Sequence, residues 1–343
     1  MLIQGLLLLY NLFLAGWFIL RWLQGDRTWW LWMGNALTPF LFLPTIVFLP
    51  TVLFHRRRAV GFVIPAAVFL VTYGSLFLPR WSSASAAGAD PRQSLRVLTF
   101  NVLFENKDYP AIARIVAAQS ADIVALQEVE PALAELLRVR FADTYPYLAL
   151  EPRRGPFGMA ILSRLPLDDH QIVVERPWGV GGFATSVSTV CGPVRLLAMH
   201  TVPTIPGISP AHNRVEVFRT VRERREEIQD ALAYLGRHPG PTLLVGDFNL
   251  TDQHETYRLI TQGYRDSFRE VGWGFGFTFP ARRGQLPLVH RPYSWPFLRI
   301  DYVFHSPDLR AQAARVGSEN VGSDHRPLVA DIVLPCSKPA GPG

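Results

Sequence analysis

Three long stretches at the start of the chain carry no charge: Leu2 to Leu20, Thr28 to Phe54 and Ala59 to Pro79. An α-helix rises about 1.5 Å per residue, so about 20 apolar residues cross a hydrocarbon core of about 30 Å. Each stretch therefore predicts a membrane-spanning helix. A soluble bundle would need three helices apolar on every face, with almost no polar surface for water. Trp29, Trp30 and Trp32 open the second stretch like aromatic anchors at headgroup level, while Pro39, Pro44 and Pro50 predict kinks or breaks within it. Beyond residue 80 the pattern changes to short β-branched runs separated by helical ones. "LRVLTFN", "DIVALQE", "VRLLAMH", "TLLVGDFN" and "RIDYVFHS" predict buried strands. "AIARIVAAQ" after Pro110 predicts a helix, as does 214–236, where Val215, Phe218, Val221, Ile228, Leu232 and Leu235 form a stripe expected to pack on a sheet. Strands interleaved with helices predict a mixed α/β domain.

These shifts divide the chain into a membrane region over 1–80 with three spanning helices, a linker of small and polar residues over 81–93, a domain over 94–336 and a tail over 337–343. The linker's Ala-Ser-Ala resembles a signal-peptidase site, but the preceding apolar run is long for a signal peptide and Arg80 and Trp81 intervene, so an uncleaved anchor is expected. Arg56, Arg57 and Arg58 separate the second and third apolar stretches, against Arg21 and Arg27 between the first and second. The positive-inside rule then makes the three-arginine loop cytoplasmic. A multi-pass protein of a bacterial-type plasma membrane is expected, with everything after Arg80 extracytoplasmic.

Charge narrows the class of partner. The net charge is +6, but residues 1–80 hold six arginines and one aspartate, leaving 28 basic and 27 acidic residues for the rest. A dedicated nucleic-acid binder carries a strongly basic domain, and this one is near neutral, with only local pairs such as Arg153-Arg154 and Arg282-Arg283. Two cysteines, Cys191 and Cys336, both fall in the part placed outside, where an oxidising compartment permits a disulfide; their spacing alone leaves the pairing open. The sequence has no Cys/His metal cluster, glycine-rich phosphate loop or internal repeat.

The predicted strands end in chemistry. Asn101, Glu128, His200, Asp247 and Asn249 close four of them, Asp301 lies near the start of a fifth, and "GSDHRPLVADI" sets Asp324 and His325 before a β-branched run. Singly, Asn101 suits a turn, Glu128 a helix start, Asp247 and Asn249 a helix cap, and His200 a satisfied core position. Together they are all ligand or acid/base types at strand ends, which favours a shared site. Asn101, Glu128 and Asp324 offer oxygen ligands without sulfur, suited to a hard cation such as Mg²⁺ or Mn²⁺. Asp301 suits His325 as an orienting partner, giving a dyad that activates water. Asp247 and Asn249 are placed to orient that water and bond a non-bridging oxygen, and His200 to donate to the phosphate or the departing oxygen.

In this order "LTFNV", "DIVALQEV", "GMAILSR", "LLAMHTVP", "GDFN", "RIDYVFHS" and "GSDHRPLVADI" resemble the endonuclease/exonuclease/phosphatase superfamily over about Ser94 to Leu334. That superfamily includes deoxyribonuclease-like nucleases, apurinic endonucleases, inositol-phosphate phosphatases and sphingomyelinases. The resemblance implies a four-layer α/β sandwich of two packed mixed sheets flanked by helices, with the site at one end of the sheets. It also implies metal binding by Asn101, Glu128 and Asp324, phosphate-facing roles for Asn249 and His200, water positioning by Asp247, and the Asp301–His325 pair. Arg164, closing "GMAILSR", is a further candidate for substrate contact. Histidine in "HTVP", where apurinic endonucleases carry tyrosine, points to the nuclease, sphingomyelinase and phosphatase branches. "GFGFTFPARRG" looks like the loop that often shapes the substrate pocket.

The expected function is a membrane-anchored, metal-dependent phosphoesterase acting on a lipid or soluble phosphate ester by in-line attack of water. Extracytoplasmic nuclease action and a non-catalytic tethered binding module are the alternatives. The module is disfavoured because no ligand or histidine of the constellation is missing, and a transporter because the apolar stretches contain no charge to mark a pathway.

Overall fold

Apolar runs of two kinds, helical and β-branched, separate the chain into two compact units. A computed structural model describes residues 2–78, 93–168, 170–176, 179–204, 210–281, 284–285, 292–293, 295–334 and 336. The linker up to residue 92, the tail and the Arg282-Arg283 pair lie outside the described residues. One unit comprises Met1–Pro79, Thr204–Arg222 and Leu250–Arg258; the other comprises Arg80–Pro203, Glu223–Asn249 and Leu259–Gly343.

The first unit contains helices α1 (Leu2–Gln24), α2 (Trp29–Ala36), α3 (Leu43–Phe48), α4 (Thr51–Phe54) and α5 (Val63–Phe77). Two helical stretches, Leu2–Gln24 and Arg58–Phe77, are long and apolar enough to cross a membrane. The second apolar stretch is broken: Trp29–Ala36 and Thr38–Phe48 meet at 77°. Pro39 and Pro44 each open a new helical segment there, because proline lacks the N–H that would continue the preceding one. α1 buries Leu7, Tyr10, Leu14 and Trp17, yet Leu8, Leu9, Leu12, Phe13 and Ile19 are all more than half exposed. A helix apolar all round suits lipid better than water. Asn11 Nδ2 donates to Leu7 O (2.7 Å) and Gly61 O (2.8 Å), satisfying an amide that hydrocarbon would penalise.

The second unit is built on strands β1 (Ser94–Asn101), β2 (Ile123–Gln127), β3 (Tyr147–Glu151), β4 (Met159–Ser163), β5 (Gln171–Arg176), β6 (Gly179–Thr189), β7 (Gly192–His200) and β8 (Thr242–Asp247). It continues with β9 (Arg265–Asp266), the two-residue pair β10 (Gly284–Gln285) and β11 (Pro292–Tyr293), then β12 (Asp301–His305), β13 (Arg310–Val316) and β14 (Leu328–Val333). Two six-stranded sheets result, ordered β13-β14-β1-β2-β4-β3 and β5-β6-β7-β8-β12-β9. Both are mixed: β1 runs parallel to β2 and β7 to β8, with the other pairs antiparallel.

Strand alternation explains why the runs read as continuously apolar. Val97, Ile123, Ala125, Met159 and Ile161 face Phe183, Leu196, Ala198, Leu243, Val245 and Val303 in the core between the sheets. The intervening Leu98, Phe100, Val124, Leu126 and Leu162 turn outward onto α6 (Tyr109–Gln119) and α7 (Pro131–Arg140). Sheets covered on both faces need apolar side chains at every position. α6 starts where Asp108 accepts from the Ala111 N–H and ends at left-handed Ser120.

The 28-residue helix α8 (Pro210–Arg237) departs from its expected stripe. Ile228, Ala231 and Leu235 are buried, but Val215 and Phe218 are 70% and 51% exposed. Arg224 and Glu227 are buried instead, because both bond the chain after β7. Two short helices, α9 (Glu255–Ile260) and α10 (Ser267–Val271), complete the element order. Cys191 and Cys336, 145 positions apart, are joined by a disulfide with Cα atoms 4.6 Å apart. Two packed sheets with helices outside make the four-layer α/β sandwich.

Candidate active site

Strand direction gathers the polar strand ends. β1 and β2 are parallel and in register, with Asn101 opposite Gln127, so Asn101 and Glu128 leave the same edge. β7 and β8 are likewise parallel, with His200 opposite Asp247, and antiparallel β12 enters with Asp301 opposite Asp247. β14 is antiparallel to β1, with Leu328 opposite Thr99, so the preceding Asp324 and His325 arrive at that edge too. Gly246 permits the close approach of β7 and β8: at φ +142° it adopts a conformation that favours glycine, and a Cβ there would lie 1.9 Å from Met199 O.

The side chains converge on Asp247. Its Oδ2 lies 3.1 Å from Asn101 Nδ2, 3.7 Å from His200 Nε2 and 3.6 Å from His325 Nε2, while Oδ1 accepts from the Asn249 N–H at 2.9 Å. Asn101 Nδ2 also donates to Glu128 Oε1 (3.0 Å), which lies 3.9 Å from His200 Nε2. His325 Nδ1 is 2.9 Å from Asp301 Oδ2, and its Nε2 is 4.0 Å from Asp324 Oδ1. Asn249 Nδ2 donates to Thr201 O at 2.9 Å. Eight of the nine candidates thus meet in one place. Glu128 and Asn249 hold left-handed backbones, φ +63° and +49°, which non-glycine residues adopt at a cost commonly met at functional sites.

Arg164 does not join them. β4 runs antiparallel to β2 with Ser163 opposite Ile123, which carries Arg164 to the other end of the sheet. There its guanidinium lies 3.7 Å from Asp122 Oδ1 and 5.5 Å from the Tyr145 ring centre. A motif shows which strand a residue closes but not which way that strand runs.

Four groups missed in the sequence hold the site in place. Ser323 Oγ donates to Asn101 O (2.7 Å) and accepts from the His325 N–H (3.0 Å), tying the turn before β14 to the end of β1 in the same sheet. Arg224 donates twice to Val202 O (3.1 and 2.7 Å), while Glu227 Oε2 accepts from the Val202 N–H (3.0 Å). The pair fixes the backbone just after His200, and Glu227 also contacts Arg176. Phe279 packs on the His325 ring at 4.9 Å. Ser323 was legible as a neighbour of Asp324; the burial of Arg224 and Glu227 was not, since surface helices are full of both types.

Charge is concentrated and desolvated here. Burial pushes the Asp247 carboxyl upward, Asp301 adds to that, and His325 and His200 oppose it. Burial raises Asp324 as well, reinforced by Glu128 and resisted by His325. For His325 burial works against the imidazolium, but Asp301, Asp247 and Asp324 outweigh it and push the ring up to about 10.

The donor set fits a hard divalent cation. Carboxylates and an amide converge without thiolate, and their mutual repulsion in a desolvated site is what a cation relieves. Among the described residues, Asp247, Asp301 and His325 form a potential ligand group, with donor atoms within 4.8 Å of one another. The Asp301–His325 bond already engages two of these, which suits orientation of the imidazole better than chelation. Because a cation competes with the protons on Asp247, Asp324 and His325, its binding should release protons and its apparent affinity should rise with pH. Titrating Mg²⁺ into weakly buffered protein near pH 7 checks this; no acidification on binding would contradict it.

Comparison with known proteins agrees with the fold. D. rerio TDP2, in a structure with single-strand DNA product, is 17% identical, with a TM-score of 0.55 over 70% of this chain and 98% of its own. The 3′ phosphatase NExo from Neisseria, bound to a product DNA hairpin, is 22% identical, with a TM-score of 0.52 over 69% and 98%. UPF0294 protein VV2535 of Vibrio vulnificus (strain YJ016) is 27% identical over 118 residues, 34% of this chain and 36% of that protein. The chain thus spans about a third of the length of the curated relatives it matches. The profile of the Endonuclease/Exonuclease/phosphatase family matches residues 98–325, from β1 through His325 and hence the whole polar cluster. The chain belongs to the endonuclease/exonuclease/phosphatase family.

Proposed function

We propose that the chain is a membrane-anchored, divalent-metal-dependent phosphoesterase whose catalytic unit faces the extracytoplasmic side. The observation that carries the catalytic part is the buried Asp301–His325 contact of 2.9 Å beside Asp247, His200, Glu128 and Asn101. Asp301 holds the imidazole by Nδ1; with the carboxylates that otherwise keep the ring protonated offset by a bound cation, Nε2 would be free to take a proton from the attacking water. Asp247 orients that water, and its carboxylate stabilises the imidazolium that forms. His200 and Asn249 bond the phosphoryl oxygens, His200 donating to the departing oxygen. Asn101, Glu128 and Asp324 would hold Mg²⁺ or Mn²⁺, which when bound polarises a phosphoryl oxygen and offsets leaving-group charge.

Two independent features support the location. The arginine count favours a cytoplasmic 56–58 loop, and the Cys191–Cys336 disulfide suits an oxidising compartment. Tethering favours a substrate at the bilayer, a lipid or lipid-linked phosphate ester, and the near-neutral domain gives nucleic acid no electrostatic advantage. The full chain in detergent should therefore hydrolyse members of a lipid-phosphate panel faster than inositol phosphates or oligonucleotides, with EDTA abolishing the activity. Preference for oligonucleotides would replace the lipid reading with the nuclease one, and EDTA-insensitive turnover would remove the metal.

A further inference from the structure

The helical unit contains a buried cation whose bonding capacity its surroundings do not use. Arg21, in the last turn of α1, is 5% exposed, and its Nε and Nη1 meet no hydrogen-bond partner among the described residues. A desolvated guanidinium is costly unless an anion faces it. Two carboxylates, Asp252 and Asp26, act on it electrostatically without bonding Nε or Nη1; Asp26 is engaged elsewhere, with Oδ1 accepting from Asn35 Nδ2 (2.8 Å) and Oδ2 from the Glu255 N–H (2.6 Å). Arg21 is instead bordered by aromatic rings, with Cζ 5.1 Å from the centre of Trp17, 5.8 Å from Phe18 and 5.7 Å from Trp22.

A second arginine shares the last of these. Arg258 Cζ lies 4.7 Å from the Trp22 ring centre, so two guanidinium groups flank one indole. They sit at the polar end of a helix long and apolar enough to cross a membrane, the level at which lipid phosphates lie. Trp22 is 58% exposed, and beside it Ile19 and Leu23 are 56% and 71% exposed, an apolar margin suited to acyl chains.

We propose that Arg21 and Arg258, set about the Trp22 ring, bind the phosphate of an anionic phospholipid headgroup. Guanidinium forks match phosphate oxygens in pairs, and an indole at headgroup level completes the amphipathic surface. The exposed Ile19 and Leu23 favour a lipid over free phosphate, and a zwitterionic headgroup would bring its own cation towards the two arginines. The site lies within the helical unit and does not depend on the catalytic assignments.

Native mass spectrometry of the full chain in neutral detergent tests this with short-chain phosphatidylglycerol, short-chain phosphatidylcholine and inorganic phosphate. Phosphatidylglycerol should bind about tenfold more tightly than phosphatidylcholine. Arg21→Met should weaken phosphatidylglycerol about tenfold and Arg258→Met by a smaller factor, with phosphatidylcholine unchanged. Equal affinity for the two lipids, or unchanged phosphatidylglycerol affinity in the variants, would overturn the proposal. Inorganic phosphate competing at the same concentration as phosphatidylglycerol would assign the site to the free ion and overturn the lipid. If Arg21→Met does not fold, Arg258→Met, outside the apolar stretches, decides alone. Binding is read without turnover, so a negative result here leaves the phosphoesterase reading intact, and an inactive enzyme leaves this site untouched.

Discussion

His325→Ala should lower phosphate-ester turnover by roughly 10²- to 10⁴-fold, the range that a positioned general base contributes. The expectation rests on geometry: Nδ1 is 2.9 Å from Asp301 Oδ2, leaving Nε2 on the side of Asp247 and Asp324. Asp247 and Asp324 are the carboxylates nearest Nε2, and Asp301 Oδ1 has no hydrogen-bond partner among the described residues. Removing the imidazole also leaves Asp301 without its partner, a buried-charge penalty that could weaken the fold. His325→Gln separates the two effects, since an amide keeps much of the volume and a donor for Asp301 but does not act as a base near neutral pH. Both variants should lose activity, and the glutamine variant should retain the thermal stability of the parent more closely. Parent-like turnover in a folded His325→Gln protein would remove the base assignment.

Glu128→Gln should raise the Mg²⁺ or Mn²⁺ concentration needed for half-maximal activity by roughly 10- to 100-fold, in the range seen when a metal site loses an important partner. The substitution changes charge while keeping shape. Glu128 Oε1 accepts from Asn101 Nδ2 and Oε2 accepts from the Phe104 N–H, both at 3.0 Å. An amide can accept only through its oxygen, so its NH₂ must meet one of those donors, and the ligand loses a full negative charge. A metal titration of activity, with EDTA to set the zero, distinguishes the cases. An unchanged midpoint would assign Glu128 to holding Asn101 and Phe104, with the cation elsewhere in the cluster.

How far the site was legible follows from what each residue needed. Asp301 and His325, 24 positions apart, could be paired because an acid and an imidazole at strand ends suit each other chemically, and their contact is the closest in the cluster that pairs an acid with an imidazole. Asn101, Glu128, His200, Asp247 and Asn249 were visible because apolar strands make any polar terminus conspicuous. Arg164 was equally conspicuous and lies at the far end, because strand polarity is a property of pairing. In α8 the apolar stripe was legible from its period, but the exposure of Val215 and Phe218 and the burial of Arg224 and Glu227 depend on partners distant in sequence.

Local chemistry alone determined the three apolar stretches, the break at Pro39 and Pro44, the buried strands and the residue types at their ends. It could do so because hydrophobic period and proline stereochemistry act over a few residues. Pairing decided the rest: which strand ends share an edge, the joining of Cys191 to Cys336, the grouping of Leu250–Arg258 with the helical unit, and the burial of Arg21 with Nε and Nη1 lacking a hydrogen-bond partner among the described residues. Those outcomes are set by packing between segments up to hundreds of residues apart, for which a linear pattern carries no direction and no distance.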